Sequence, residues 1–450
     1  MYRTALLVLA VAVAPACGGQ RPLIAPPTAL EIDRRAEILT MQGRWDEARK
    51  LVEGGLEEAR RRRDGAAEAR LLLRRGRTVT DQTRHRGGDR APAVSDMEAA
   101  RRAAEAIGDR GLLADAIDAL GVHRYVLWFS SQNADDLAAS DGMFRDALAI
   151  RLQASESPEL ADSYFHVGLV HQMRNEDDAA RGDFERALAV GERARDAMRM
   201  SFATRHLGYM AERRREWAAA EEYYRRSLEL RERAGAGPGV ASAQVTLAEL
   251  RYARGGDADD ALGLLTRARD GAGRAGSVVY VAIASEAIAR VHRDRGQYDE
   301  ALRHLAAAIR AMDEIHSDED VPEAYEQMAL VHLLRGDPKA AVADAERGLG
   351  RRTSPRLRSL QSLARARSGE PVAEAAIDST DAVVAARLAL AKGDASAALD
   401  AALRGDDPDT LLLAARAAGP AGFERAIAAA AAISPAQQQR FERDRRLLRQ

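Results

Sequence analysis

The chain has 450 residues, of which 46% are apolar, 30% charged and 4% aromatic, with a formal net charge of −2. That balance excludes a disordered chain and suits amphipathic helices with one wet face and cores of Ala, Leu and Val. The near-zero charge removes any overall electrostatic pull toward nucleic acid or anionic surfaces, and the single cysteine, Cys17, excludes an internal disulfide.

Residues 1–17, MYRTALLVLAVAVAPAC, carry a basic residue at Arg3, an apolar run from Ala5 to Ala14, and small residues before Cys17. Ten apolar residues fall short of the ~20 that a membrane-spanning helix needs, so residues 1–16 read as an export signal. The stretch resembles a lipobox. That resemblance implies acylation of Cys17 and anchoring to a membrane of the bacterial cell envelope, although Ala14 and Pro15 depart from the usual lipobox pattern. Two alternatives stay open: ordinary cleavage after Ala14-Pro15-Ala16, giving a secreted protein, and a cytoplasmic protein whose start only looks like a signal. Residues 17–30 are rich in Gly and Pro and read as a tether.

A helical period runs from Glu31. Its clearest statement is a pair of segments, ADSYFHVGLVHQMRNEDDAARGDFERALAV at 161–190 and SFATRHLGYMAERRREWAAAEEYYRRSLEL at 201–230. They align Gly168 with Gly208, Ala180 with Ala220, Phe184 with Tyr224 and Ala187 with Ser227, each 40 residues apart. The series continues as Ala248, Ala289 and Ala329 in the first slot, as Ala261, Ala301 and Ala341 in the second, and as Leu265, Leu305 and Ala345 in the aromatic slot. One 41-residue interval has a visible source in the doubled Gly255-Gly256. Self-similarity over successive units predicts a stacked array over residues 31–350, because one hairpin cannot bury its own apolar face.

The segments QGRWDEA (42–48), RREWAAA (214–220), RGQYDEA (295–301) and RGDPKAA (335–341) share a residue pattern that resembles the tetratricopeptide repeat. The resemblance implies an all-α fold, an α-solenoid of antiparallel helical hairpins wound as a right-handed superhelix. It also implies a non-catalytic role in protein–protein interaction. The standard repeat has 34 residues, so the surplus here is expected in longer second helices or longer loops between repeats.

In such arrays the first helices line a concave surface that takes extended peptides or helices. Helical phase from the small residue places Phe165, Leu169, Gln172 and Met173 on that surface, then Arg205, Tyr209 and Arg213, then Glu249 and Tyr252, then Glu286, Arg290 and Arg293. No row of Asn and Lys like the carboxylate clamp of chaperone-binding relatives is present.

Two units depart from the period. From Gly121 to Phe144 the spacing is 23 residues, against 16 from Gly168 to Phe184, which predicts about one extra turn on each helix. The added part places Tyr125, Trp128 and Phe129 near the hairpin tip, either as an aromatic knob for a partner or as cover between two neighbouring long hairpins. Residues 60–90 hold eleven arginines against four acids, readable as a membrane-facing basic stretch beside the anchor or as a solvated face. Residues 351–450 decay into Ala-rich helices and end in a segment, 434–450, expected to cap the array with a polar outer face.

The chain has no phosphate loop, metalloprotease motif, nucleophile elbow or dinucleotide fingerprint, and no cofactor or metal is expected. His171, His292 and His332 fall in one slot of three repeats, but equivalent positions on stacked helices stand ~8 to 10 Å apart and cannot share an ion. They read as packing residues. A rival reading is a helical-hairpin enzyme such as an α/α-barrel carbohydrate hydrolase, which requires ring closure and a cleft rich in aromatic residues and paired acids. Three tryptophans spread over separate hairpins, Trp45, Trp128 and Trp217, speak against it.

Overall fold

The computed structural model describes residues 27–154, 157–316, 321–371 and 380–447, so Cys17, the signal and most of the tether lie outside the described residues. The described chain is an α-solenoid of antiparallel helical hairpins. The first three hairpins pair α1 (Ala29–Met41) with α2 (Trp45–Arg62), α3 (Gly65–Arg86) with α4 (Ala91–Ile107), and α5 (Arg110–Ser131) with α6 (Ala134–Leu152). The next three pair α7 (Glu159–Met173) with α8 (Asp177–Ala194), α9 (Ala197–Arg213) with α10 (Trp217–Arg233), and α11 (Gly237–Ala253) with α12 (Ala258–Arg274). Then come α13 (Val278–Asp294) with α14 (Tyr298–Glu314), α15 (Val321–Arg335) with α16 (Pro338–Arg351), and α17 (Pro355–Ser368) with α18 (Ala382–Ala391). The chain ends in α19 (Ala395–Ala402), α20 (Pro408–Ile433) and α21 (Pro435–Leu447), with α20 broken at Gly419 (φ +71°) ahead of Pro420. No helix among the described residues is long and apolar enough to cross a membrane.

The forty-residue period divides evenly. Helices α9 and α10 have 17 residues each, and three-residue turns follow both, so the surplus over the 34-residue repeat lies in both helices and not in longer loops. The doubled glycine lengthens one turn by a residue, and Gly255 adopts φ +83° there. In the long third hairpin the first helix has 22 residues and the second 19, so the extra length falls mainly on the first rather than one turn on each. Side-chain caps fix several starts. Thr28 and Glu31 form a capping box on α1, and Asp109, Asp196 and Ser277 accept from first-turn amides of α5, α9 and α13.

The repeat signature is a rule of complementary volume. A Cβ added at Gly168 would stand 2.8 Å from the Phe184 ring, and one at Gly208 would stand 2.6 Å from the Tyr224 ring. Where the ring gives way to Leu265 or Leu305, the facing slot holds Ala248 or Ala289, all four buried. A bulky partner thus faces a bare backbone and a smaller one faces a methyl, keeping interior density constant.

The array curves with its first helices inside. Neighbouring first helices touch along the chain (α1 with α3, α3 with α5, α5 with α7, α7 with α9, α11 with α13), whereas no comparable contact joins the second helices from α2 to α16. Curvature brings α1 and α3 onto α11 and α13, five hairpins later. The meeting is end to end. The turn after α1 lies on Ala275, where a Cβ at Gly43 would stand 2.4 Å from the carbonyl oxygen, while His85 at the end of α3 hydrogen-bonds the Ser277 hydroxyl at 2.9 Å. The Arg86 Nε donates to the Gly276 carbonyl at 3.2 Å, and His85 sits between Trp45 (5.2 Å) and Tyr280 (5.4 Å). The chain therefore climbs as a ramp whose successive turns touch; the ring closure required by an α/α-barrel enzyme is not its arrangement.

Helix α21 buries one face, Gln437, Arg440, Phe441 and Asp444, and leaves Gln439 and Arg446 on its other side exposed. Arg440 bonds Asp294 (3.0 Å) and Asp409 (2.6 Å), Arg293 bonds Asp409 (2.7 Å), and Gln437 donates to Asp294 at 2.8 Å. This buried cluster of two arginines and two aspartates ties α20 and α21 to the C-terminal end of α13. Although burial pushes the Asp294 carboxyl upward, the Arg293 and Arg440 guanidiniums hold its pKa below the usual aspartate value.

Candidate binding surface

The first-helix surface begins with an aromatic group. The Phe165 ring on α7 lies 5.6 Å from Phe202, 5.8 Å from Phe184 and 5.1 Å from His206, so it bridges two hairpins. Met173 is half-buried at the other end of α7. On α9, Tyr209 is 38% exposed, with the Arg213 guanidinium 6.0 Å over its ring and Arg213 also bonded to Asn175. Arg205 is half-buried one turn away, its Nη1 3.2 Å from His206 Nε2. On α11 and α13, Glu249 pairs with Arg290 at 2.8 Å, and both remain substantially exposed. Tyr252, Glu249 and Arg290 line a narrow cleft of about 90 Å³ whose far wall is Ser434, Ala436 and Gln437 of the C-terminal segment. Glu286 is half-buried on α13.

Two of the phase-assigned residues are elsewhere. Arg293 is sealed beneath α20 and α21 in the cluster described above, because the C-terminal segment folds back over that end of the first helices. Gln172 is buried between hairpins, where its Oε1 meets His206 Nδ1 at 2.8 Å. Helical phase gave the direction of each residue but not the cover supplied by a distant segment.

Tyr125 and Trp128 of the long hairpin pack within the array. Tyr125 is buried, and Trp128, 5.9 Å from it, is half-buried; both pack with Phe144, Val167 and Val170 of this hairpin and the next. The Phe129 side chain lies outside the described residues. Of the eleven arginines between 60 and 90, at least eight pair with carboxylates: Arg60, Arg61, Arg62, Arg70, Arg74, Arg75, Arg77 and Arg86. The stretch is mostly neutralised by partners that include Asp33, Asp46, Asp96 and Asp115, all outside it.

The slot histidines pack as bridges inside their hairpins: His171 with Asp183 at 2.8 Å, His292 with Gln297 at 2.7 Å, and His332 near Asp344 at 3.4 Å. Sequence reading did not single out His304, which with His292 and Glu300 forms the one group of metal-ligand composition among the described residues. The two rings lie parallel within 5° at 5.5 Å, and Glu300 is held by Arg303. Burial and the His292, Arg269 and Arg303 charges push the His304 pKa down to about 4.

Stacked hairpins with an inner surface of first helices define an α-solenoid of the tetratricopeptide type. Residues 199–273 and 280–354 match the tetratricopeptide-repeat family model, which supports that family for the array. No match is found among curated proteins. Among solved structures, the chain is similar to a Rap protein complexed with Competence and Sporulation Factor, at 13% identity and TM-score 0.55, covering 88% of this chain and 99% of that one. It is also similar to a signal-transduction ATPase with numerous domains that carries a tetratricopeptide-repeat sensor, from Pyrococcus horikoshii. That match has 10% identity and TM-score 0.51, covering 72% of this chain and 50% of that one. At these identities the likeness is one of fold.

Proposed function

We propose that this chain is a non-catalytic scaffold that holds a protein or peptide segment against the first helices of its fourth to seventh hairpins, contributing position and effective concentration. The observation that carries this reading is the run of accessible, chemically mixed side chains on consecutive first helices. Tyr209 beneath Arg213 on α9, and the exposed Arg290 of α13 beside Glu249 of α11, offer an aromatic anchor and charged partners on these first helices. The Rap relative in complex with Competence and Sporulation Factor supports the same use of the fold. Anchoring through acylated Cys17, at a membrane of the bacterial cell envelope, completes the proposal; ordinary cleavage would release the same scaffold in secreted form.

A photo-crosslinking residue at Tyr209 or Arg290 in cells, followed by identification of the captured chain, tests the surface. A discrete adduct at these positions is expected. No specific adduct there, together with a partner captured at Trp128, would overturn the surface in favour of the long hairpin. Metabolic labelling with an alkyne fatty acid tests the anchor: label is expected on the full chain and lost in Cys17→Ser.

A further inference from the structure

The histidine slot sets each ring against a residue on the second helix of its own hairpin, twelve positions on. His171 faces Asp183 at 2.8 Å and His332 faces Asp344 at 3.4 Å, so in two hairpins a carboxylate answers the imidazole. In the α13–α14 hairpin His304 takes the place of that aspartate, and its ring lies 5.5 Å from that of His292. The same hairpin changes a second residue. Eight positions after the slot histidine the other two carry Ala179 and Ala340, and this one carries Glu300. Glu300 and His304 stand one helical turn apart on α14 and share a face. One ligand atom from each of His292, Glu300 and His304 lies within 4.8 Å of the other two, and all three residues are half-buried, open to water.

The donor atoms are available. His292 Nδ1 lies 2.7 Å from Gln297 Oε1. An amide oxygen only accepts, so Nδ1 carries the proton and Nε2 keeps its lone pair; an outer hydrogen bond of this kind orients metal-bound imidazoles. The His304 ring has no hydrogen bond among the described residues, and burial with the neighbouring charges keeps it neutral at pH 7. Arg303 engages Glu300 through Oε1, and an ion pair this exposed holds its carboxylate only weakly. Ligand atoms ~2 Å from one tetrahedral ion stand roughly 3.3 Å apart, a closure within reach of the unbonded His304 ring.

We propose that His292, Glu300 and His304 bind one Zn²⁺ ion, which ties the last turn of α13 to the first turns of α14. Two imidazoles and a carboxylate suit Zn²⁺, whereas Mg²⁺ and Ca²⁺ take oxygen ligands. Three protein ligands leave the fourth position of a tetrahedral ion to water or to a donor from a bound molecule. The slot histidines of different hairpins cannot share an ion; here the second imidazole comes from within the hairpin. The site does not depend on the scaffold reading.

Isothermal titration of the tag-free full chain, stripped of metal by a chelator, tests it with Zn²⁺, Mg²⁺ and Ca²⁺. One saturable Zn²⁺ site is expected, with no binding of Mg²⁺ or Ca²⁺. His304→Ala should abolish the site. Glu300→Ala installs the residue that the other two hairpins carry, so it keeps the fold, and it should raise Kd at least ~10-fold; Gln297→Ala, which removes only the outer hydrogen bond, should raise it about 10-fold. His171→Ala should leave Kd unchanged. Circular dichroism confirms the fold of each variant, and should His304→Ala fail to fold, Glu300→Ala decides. Absence of saturable Zn²⁺ binding would overturn the site, as would binding that survives His304→Ala or is lost in His171→Ala. A native Kd in Glu300→Ala would overturn the three-ligand set, a native Kd in Gln297→Ala the orientation given to His292, and tighter binding of Mg²⁺ or Ca²⁺ the choice of ion.

Discussion

Gly208→Ala tests the packing rule that holds the hairpins together. The new Cβ would stand 2.6 Å from both Cδ1 and Cε1 of Tyr224, roughly an ångström inside ordinary carbon contact. The ring has little room to retreat, since it is 3% exposed and its hydroxyl donates to Glu212 Oε2 at 2.7 Å. Overpacking of this kind costs about 1–3 kcal/mol. The chain carries its own remedy two repeats further on, where Ala289 faces the Leu305 slot. Gly208→Ala combined with Tyr224→Leu should therefore recover part of the loss, with a coupling energy of about 1–2 kcal/mol between the two sites. Denaturant unfolding followed by circular dichroism measures the four corners of the cycle. Hydrogen exchange at α9 and α10 checks that the loss is local, since long arrays need not unfold in one step. Strictly additive effects, or a Gly208→Ala protein as stable as the native one, would refute the volume rule.

Arg387 is fully buried between Glu326 and Asp407, so Arg387→Met should strand two carboxylates and cost about 3–5 kcal/mol, read as faster hydrogen exchange in α18 and α20. Asp294 has a folded pKa below its ordinary 3.8, so its contribution to docking α21 is present above that value and lost as pH falls through the folded pKa. Exchange protection in α21 should accordingly persist at pH 5 and collapse in more acidic solution, and Asp294→Asn should remove it already at neutral pH. Burial holds the pKa of His206 well below 6.5 and also lowers that of His85. Both favour the folded state above pH 6.5, and that stability drains away as pH falls below it, so Tm should decline from pH 7 to pH 5 and decline less in His206→Gln.

The array was legible because its signal is local and repeated. The slots of Gly168, Ala180 and Phe184 recur every 40 or 41 residues, and each recurrence is one hairpin meeting the next. The division of the surplus length was not legible, since Ala and Arg at the helix ends are compatible with either helix or loop; the structure gives it to both helices. Contacts across the superhelical turn left no periodic trace. Nothing around His85 marks Ser277 as its partner 192 residues away, and Arg293 has the phase of a surface residue until α21 covers it.

The most direct test of the inner-face account is hydrogen exchange on the full chain with and without the segment captured at Tyr209. New protection is predicted on the first helices α7, α9, α11 and α13, with the second helices α8, α10, α12 and α14 unchanged. Protection confined to the second helices, or to the tip of the long hairpin around Trp128, would contradict it.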